Sequence, residues 1–132
     1  MLRNCKLSEC VICKEDDPVL EVAKILRDTG ARHIFVVNEN EKPLGVISTV
    51  DINNRVVAEE KNPMKMKAKD IMTAPVSAVD CDDPVEKAFL VMTEKGTYSC
   101  PVTQKGKIIG MVTYADAAQN LVAKGKKLPG VK

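Results

Sequence analysis

The sequence predicts an α+β (α/β) protein made of two tandem β-α-β-β-α units, packed sheet to sheet with pseudo-two-fold symmetry. Three observations carry this expectation. Asp17-Pro18-Val19 returns as Asp83-Pro84-Val85, and Gly30 returns as Gly96, both at an offset of 66. Gly45 and Asp51 return as Gly110 and Asp116 at an offset of 65, so the second copy has lost one residue in a loop. The length of 132 residues leaves room for one ordinary domain or two very small ones drawing on a shared core.

The elements follow in order. Short strands are expected near 10–13 and 76–79. Asp17 and Asp83 then read as N-caps whose carboxylates take up free backbone N–H groups. Pro18 and Pro84 suit the first helical position, and Glu86 offers a capping-box partner. Val19, Val22, Ala23 and Leu26 in one copy, and Val85, Ala88, Phe89 and Met92 in the other, form one apolar stripe at helical spacing. Gly30 and Gly96 suit the left-handed residue that ends a helix. Hairpins follow, His33–Val37 with Leu44–Ser48 and Tyr98–Val102 with Lys107–Thr113, and second helices over 51–60 and 115–123. The organisation is a first domain over 1–61, a lysine-bearing linker over 62–68, a second domain over 69–123 and a frayed basic tail over 124–132.

Composition narrows the function. Hydrophobic residues make up 45% and charged residues 29%, a folded rather than a disordered balance. No apolar run approaches the ~20 residues that span a bilayer, and the start has no signal-peptide core, so a cytoplasmic protein without membrane contact is expected. A net charge of +2 and four aromatics, none of them Trp, argue against a nucleic-acid partner. One histidine excludes most His-dependent catalysis and any multi-His metal site. With no nucleophile–base pair in the pattern, the expectation is a protein that is not an enzyme.

Both units contain Gly-h-h-[Ser/Thr]-x-x-Asp, with h apolar: Gly45-Val46-Ile47-Ser48-Thr49-Val50-Asp51 and Gly110-Met111-Val112-Thr113-Tyr114-Ala115-Asp116. The hydroxyl falls where a strand ends and the carboxylate where the next helix begins. Such a pair can face one cleft, the carboxylate accepting from two sugar hydroxyls and the hydroxyl reaching phosphate or ribose oxygen. The same spacing also serves a plain helix cap, with the aspartate favouring the helix dipole.

With these two stretches, the Asp-Pro-Val helix starts and Lys69-Asp70-Ile71-Met72-Thr73, the chain resembles the tandem cystathionine β-synthase (CBS) domain family, or Bateman module, over about residues 4–123. The resemblance implies a regulatory pair that binds AMP, ADP, ATP or S-adenosylmethionine between its domains, uses no other cofactor and forms a homodimer. It implies Asp51 and Asp116 as ribose holders and Ser48 and Thr113 as phosphate or ribose contacts. Ile34 and Cys100, with the segment Thr73 to Val76, would line the adenine pocket, and Tyr114 lies inside the second motif. The family's proline in the third strand is kept as Pro101 but replaced by Phe35 in the first copy, so unequal sites are expected.

Other signals point elsewhere. Cys5, Cys10 and Cys13 have the C-x4-C-x2-C spacing that opens an iron–sulfur motif, and Cys10 with Cys13 that of a zinc site. Cys10 and Cys13 align with Val76 and Val79, which favours buried, reduced thiols and no metal. His33 with Arg32, and Lys65, Lys67 and Lys69, are candidate phosphate neighbours; a strand end and a solvated linker are their ordinary roles. Two other functions stay open: a dimerisation module without ligand, and a Cys-ligated metal protein. A regulated partner protein goes with the leading one.

Overall fold

In the first helix, α1 (Val19–Thr29), Val19, Val22 and Leu26 lie on one buried stripe, and Gly30 at φ 71° closes the last turn. Its counterpart α4 (Val85–Lys95) repeats the design with Val85, Ala88, Phe89 and Met92 buried and Gly96 at φ 65°. These elements belong to a computed structural model that describes residues 1–126. Lys127, Pro129, Gly130 and Lys132 of the expected basic tail lie outside the described residues. The part of that tail inside them makes contacts with the second unit. Lys126 N–H donates to the Leu121 carbonyl at 3.0 Å, and its Nζ pairs with Glu86 at 3.0 Å.

The chain divides into two compact units. One is Cys10–Val76; the other is Met1–Glu9 together with Ser77 onward. In the first, β1 (Ile12–Lys14) runs parallel to β2 (His33–Val37), which pairs antiparallel with β3 (Pro43–Ser48). In the second, β4 (Val79–Asp80) runs parallel to β5 (Ser99–Gln104), and β6 (Lys107–Thr113) pairs with β5 antiparallel. Strand order is sequential in both sheets. The second hairpin turns on Lys105 and Gly106, at φ 53° and 82°, the two positive angles that a tight two-residue turn needs.

Each unit closes a buried cluster of its own. Cys13, Val19, Val22, Leu26, Ile34, Val36, Ile47 and Ile71 form one. Leu2, Val85, Phe89, Met92, Cys100, Val102, Val112 and Leu121 are in the other. Leu2 is fully buried there, on a short 3-10 turn (Leu2–Asn4) held by Leu2 N–H to the Asp83 carbonyl at 2.9 Å. Burial of such a side chain stabilises by about 1.5–3 kcal/mol. The first residues of the chain are therefore core material for the second repeat.

Two sequence expectations are corrected. Asp17 and Asp83 do not cap the helices that follow. Pro18 and Pro84 occupy the cap positions, and the two carboxylates instead accept from the N–H of Lys14 at 2.9 Å and of Asp80 at 2.8 Å, closing the turn before the helix. For α1 the free N–H groups of Val19 and Leu20 go to the carbonyls of Met66 and Pro63, at 2.9 and 3.1 Å. Glu86 pairs with Lys126, and α4 has no side-chain cap. Carbonyls of the 62–68 segment thus lie on the start of α1, while Lys65, Lys67 and Lys69 are exposed, and Lys67 and Lys69 pair with Asp16 at 3.5 and 3.2 Å.

The second helices also differ. In the second repeat α5 (Tyr114–Ala123) is a regular α-helix. In the first, α2 (Thr49–Ile52) passes after one turn into a π-helical turn, Asn53–Val57. A short helix, α3 (Ala68–Ile71), completes that unit, with Asp70 accepting from the Lys67 N–H at 2.9 Å.

Candidate functional site

The repeated motif places its residues at a strand-to-helix junction in each unit. Ser48 ends β3 and caps α2: its Oγ accepts from the Asp51 N–H at 3.2 Å, and its own N–H donates to Asp51 Oδ2 at 2.8 Å. This is a reciprocal capping box. Thr113 caps α5 in one direction, its Oγ1 accepting from the Asp116 N–H at 3.1 Å. In both copies the hydroxyl is occupied by the backbone N–H of the motif's aspartate.

The carboxylates differ in their company. Asp51 Oδ1 lies 3.8 Å from Arg55 Nη2, one helical turn on, and the Asp51 side chain is 18% exposed. Arg55 also donates from Nη1 to the Ile71 carbonyl at 2.6 Å and from Nη2 to Thr73 Oγ1 at 3.3 Å. Asp116 Oδ2 faces Ser8 Oγ at 3.5 Å, and no basic group of the described residues comes within 4 Å of it. Asn120 stands where the first copy has Arg55, with its Oδ1 buried and without a hydrogen-bond partner. A cavity of about 250 Å³ opens beside it, lined by Cys5, Lys6, Asp116, Gln119 and Asn120 among others.

Glycine explains how the flanking segments arrive. Val46 and Thr73 exchange backbone bonds at 3.0 and 2.9 Å, as Met111 and Ser8 do at 3.0 and 2.8 Å. A Cβ on Gly45 would sit 2.8 Å from the Thr73 carbonyl oxygen, and one on Gly110 would sit 3.1 Å from that of Ser8. The motif's glycine is the space into which a neighbouring strand-like segment fits.

Of the residues singled out from sequence, Ser48, Asp51 and Thr73 gather in one unit around Arg55, and Thr113 with Asp116 in the other. Val76 is half-buried, its N–H on the Leu44 carbonyl at 3.3 Å. Ile34 and Cys100 are fully or almost fully buried in the two clusters, and Pro101 is buried as well. The Tyr114 ring packs on Phe89, centroids 4.7 Å apart, at the edge of its core. Phe35 is 2% exposed and edge-on to His33, whose imidazole burial pushes toward the neutral form. Ser8, Arg55 and Asn120 were missed. The repeat offset that pairs Ser8 with Thr73, and the four-residue step from each motif aspartate, are the signals that find them.

The cysteines occupy ordinary places. Cys13 and Cys100 are buried, and burial pushes their thiols up to about 12 and about 11. Cys5 and Cys10 are half-buried. Among the described residues Asp80, Cys81 and Asp82 bring three ligand-type atoms within 4.8 Å, and Arg3 holds Asp82 in an ion pair.

Comparison with known proteins gives a consistent picture. The CBS domain family model matches twice, over residues 5–58 and 68–123. An uncharacterized protein of Methanopyrus kandleri is 36% identical over 104 residues, 78% of this chain and 53% of that one. A homoserine O-acetyltransferase of Methanococcus vannielii is 31% identical over 100 residues, 75% of this chain and 20% of that one. The chain thus spans about half the first relative and a fifth of the second. A CBS domain pair crystallised with 5′-methylthioadenosine and S-adenosyl-L-methionine shares 26% identity at a TM-score of 0.72, covering 94% of this chain and 97% of that one. Hypoxic response protein I, solved with two coordinated zinc ions, shares the fold at a TM-score of 0.77 and 21% identity, over 91% and 98% of the two chains.

Proposed function

The chain belongs to the CBS domain family, and from that premise we propose that it is a regulatory module, not an enzyme, that binds an adenosyl ligand at the Ser48–Asp51 and Thr113–Asp116 clusters. The observation that carries this reading is the repetition of a hydroxyl and a carboxylate at one strand-to-helix junction in both units. A carboxylate there can accept from the vicinal hydroxyls of a ribose. The related pair that holds methylthioadenosine and S-adenosylmethionine supplies the ligand class, and AMP, ADP and ATP share its adenosyl group. Binding acts by differential affinity, favouring one arrangement of a cytoplasmic homodimer that a partner protein reads.

Calorimetric titration with AMP, ADP, ATP, S-adenosylmethionine and methylthioadenosine tests this reading. Binding of at least one of them tighter than about 1 mM is expected. No binding by any of the five ends it.

The capping geometry favours a second reading, a dimerisation module in which both motifs only start helices. Dimers by light scattering, with no thermal shift from any of the five ligands, would establish that alternative.

A further inference from the structure

The two clusters share a hydroxyl and an aspartate at equivalent positions, and the difference in charged side chains at the equivalent helix position is Arg55 in the first and Asn120 in the second. Arg55 lies on the π-helical turn Asn53–Val57, where the second repeat keeps a regular helix. Widened turns of this kind recur at functional sites, because they redirect a side chain at the expense of a regular ladder. Here Arg55 reaches Asp51, the Ile71 carbonyl and Thr73 Oγ1 together, and its side chain still keeps 46% of its surface exposed. A guanidinium has five N–H donors in a rigid fork, so two bonds to the protein leave donors for an anion.

The charges differ accordingly. The first cluster sets one positive group against the Asp51 carboxylate. In the second, Lys6 lines the cavity that Asp116 shares, but among the described residues no cation lies within 4 Å of the Asp116 carboxylate, and Asn120 is neutral. An anionic ligand meets repulsion from the lone carboxylate in one cluster and a compensating guanidinium in the other. We propose that Arg55 is a specificity-determining residue: the Ser48–Asp51–Arg55–Thr73 cluster selects a phosphate-bearing adenosyl ligand, and the Thr113–Asp116–Asn120 cluster one without a phosphate. The proposal rests on the adenosyl-binding function above and adds which chemistry each repeat accepts.

AMP and 5′-methylthioadenosine share the adenosyl group and differ in the phosphate, so titrating both separates recognition of charge from recognition of nucleoside. Arg55→Asn, which copies the second repeat, is expected to weaken AMP binding about tenfold or more, the loss of a charge-assisted contact. Methylthioadenosine affinity should change less than twofold, and Arg55→Lys should restore part of the AMP binding. Equal losses for the two ligands would make Arg55 a structural staple and overturn the proposal, as would no loss for AMP. Wild-type protein that binds neither ligand would instead remove the function it rests on. Asn120→Arg guards against misfolding of the first variant. It should tighten AMP about tenfold at the second cluster, and no gain overturns the proposal.

Discussion

At the residue scale the two motif aspartates have the same neighbours in sequence and different partners in space. Asp51 has one oxygen on the Ser48 N–H and the other near Arg55, so both are engaged before any ligand arrives. Among the described residues, Asp116 has the Ser8 hydroxyl as its side-chain hydrogen-bond partner, at 3.5 Å. Asp116→Ala is therefore expected to weaken methylthioadenosine more than Asp51→Ala, read as the ratio of dissociation constants; equal losses would contradict it. The stabilities should run the other way. Asp51→Ala removes half of a capping box and should cost about 1 kcal/mol in urea unfolding, with Asp116→Ala costing less. The spacing of hydroxyl and aspartate was legible from sequence because both roles are local. Arg55 was not, since nothing in a linear motif tells whether a residue four places on reaches back to Asp51 and across to Thr73. Phe35, singled out as a source of asymmetry, is buried beside His33, as its counterpart Pro101 is buried, and a difference in charge lies at Arg55 and Asn120.

At the element scale, strands and helix ends were legible where local chemistry decides them. His33–Val37 and Lys107–Thr113 are strands with the bounds their β-branched runs suggest, and Gly30 and Gly96 end their helices with positive φ. The caps of α1 and α4 were not legible; at α1 the free N–H groups are taken by carbonyls of Pro63 and Met66, more than forty residues downstream. The motif glycines are a third case, conspicuous in sequence and explained only by the segment that lies on them. Gly45→Ala should destabilise by about 1–3 kcal/mol, since a Cβ 2.8 Å from the Thr73 carbonyl oxygen forces backbone to move. Gly110→Ala, at 3.1 Å from the Ser8 oxygen, should cost less. Urea midpoints of the two variants measure the difference. The first variant should also blunt the effect of Arg55→Asn, because displacing Thr73 removes one of the partners that hold Arg55.

Over the whole molecule, the thiols and carboxylates fix the pH range in which the fold is stable. Burial raises the Cys13 and Cys100 thiols to about 12 and about 11 from an ordinary 9.0. In the unfolded chain both ionise near 9, whereas in the folded chain they stay protonated. Their contribution is therefore fully present below pH 9 and is lost as pH rises from there toward 11 and 12. On the acid side, Asp83 is held below its ordinary 3.8, first by the Asp80 N–H and then by Lys87. Its contribution is present above pH 3.8 and falls away as pH drops through the lowered value. Urea midpoints measured across pH should form a plateau bounded by these two slopes. Cys13→Val and Cys100→Val together should make the alkaline slope shallower, with Cys10 and Lys69 carrying part of the rest, and leave the acid one unchanged. A disulfide-exchange reagent at pH 8 should therefore modify the half-buried Cys5 and Cys10 first, and Cys13 and Cys100 only after denaturation. Zinc or iron in the purified sample at one equivalent would favour the metal reading.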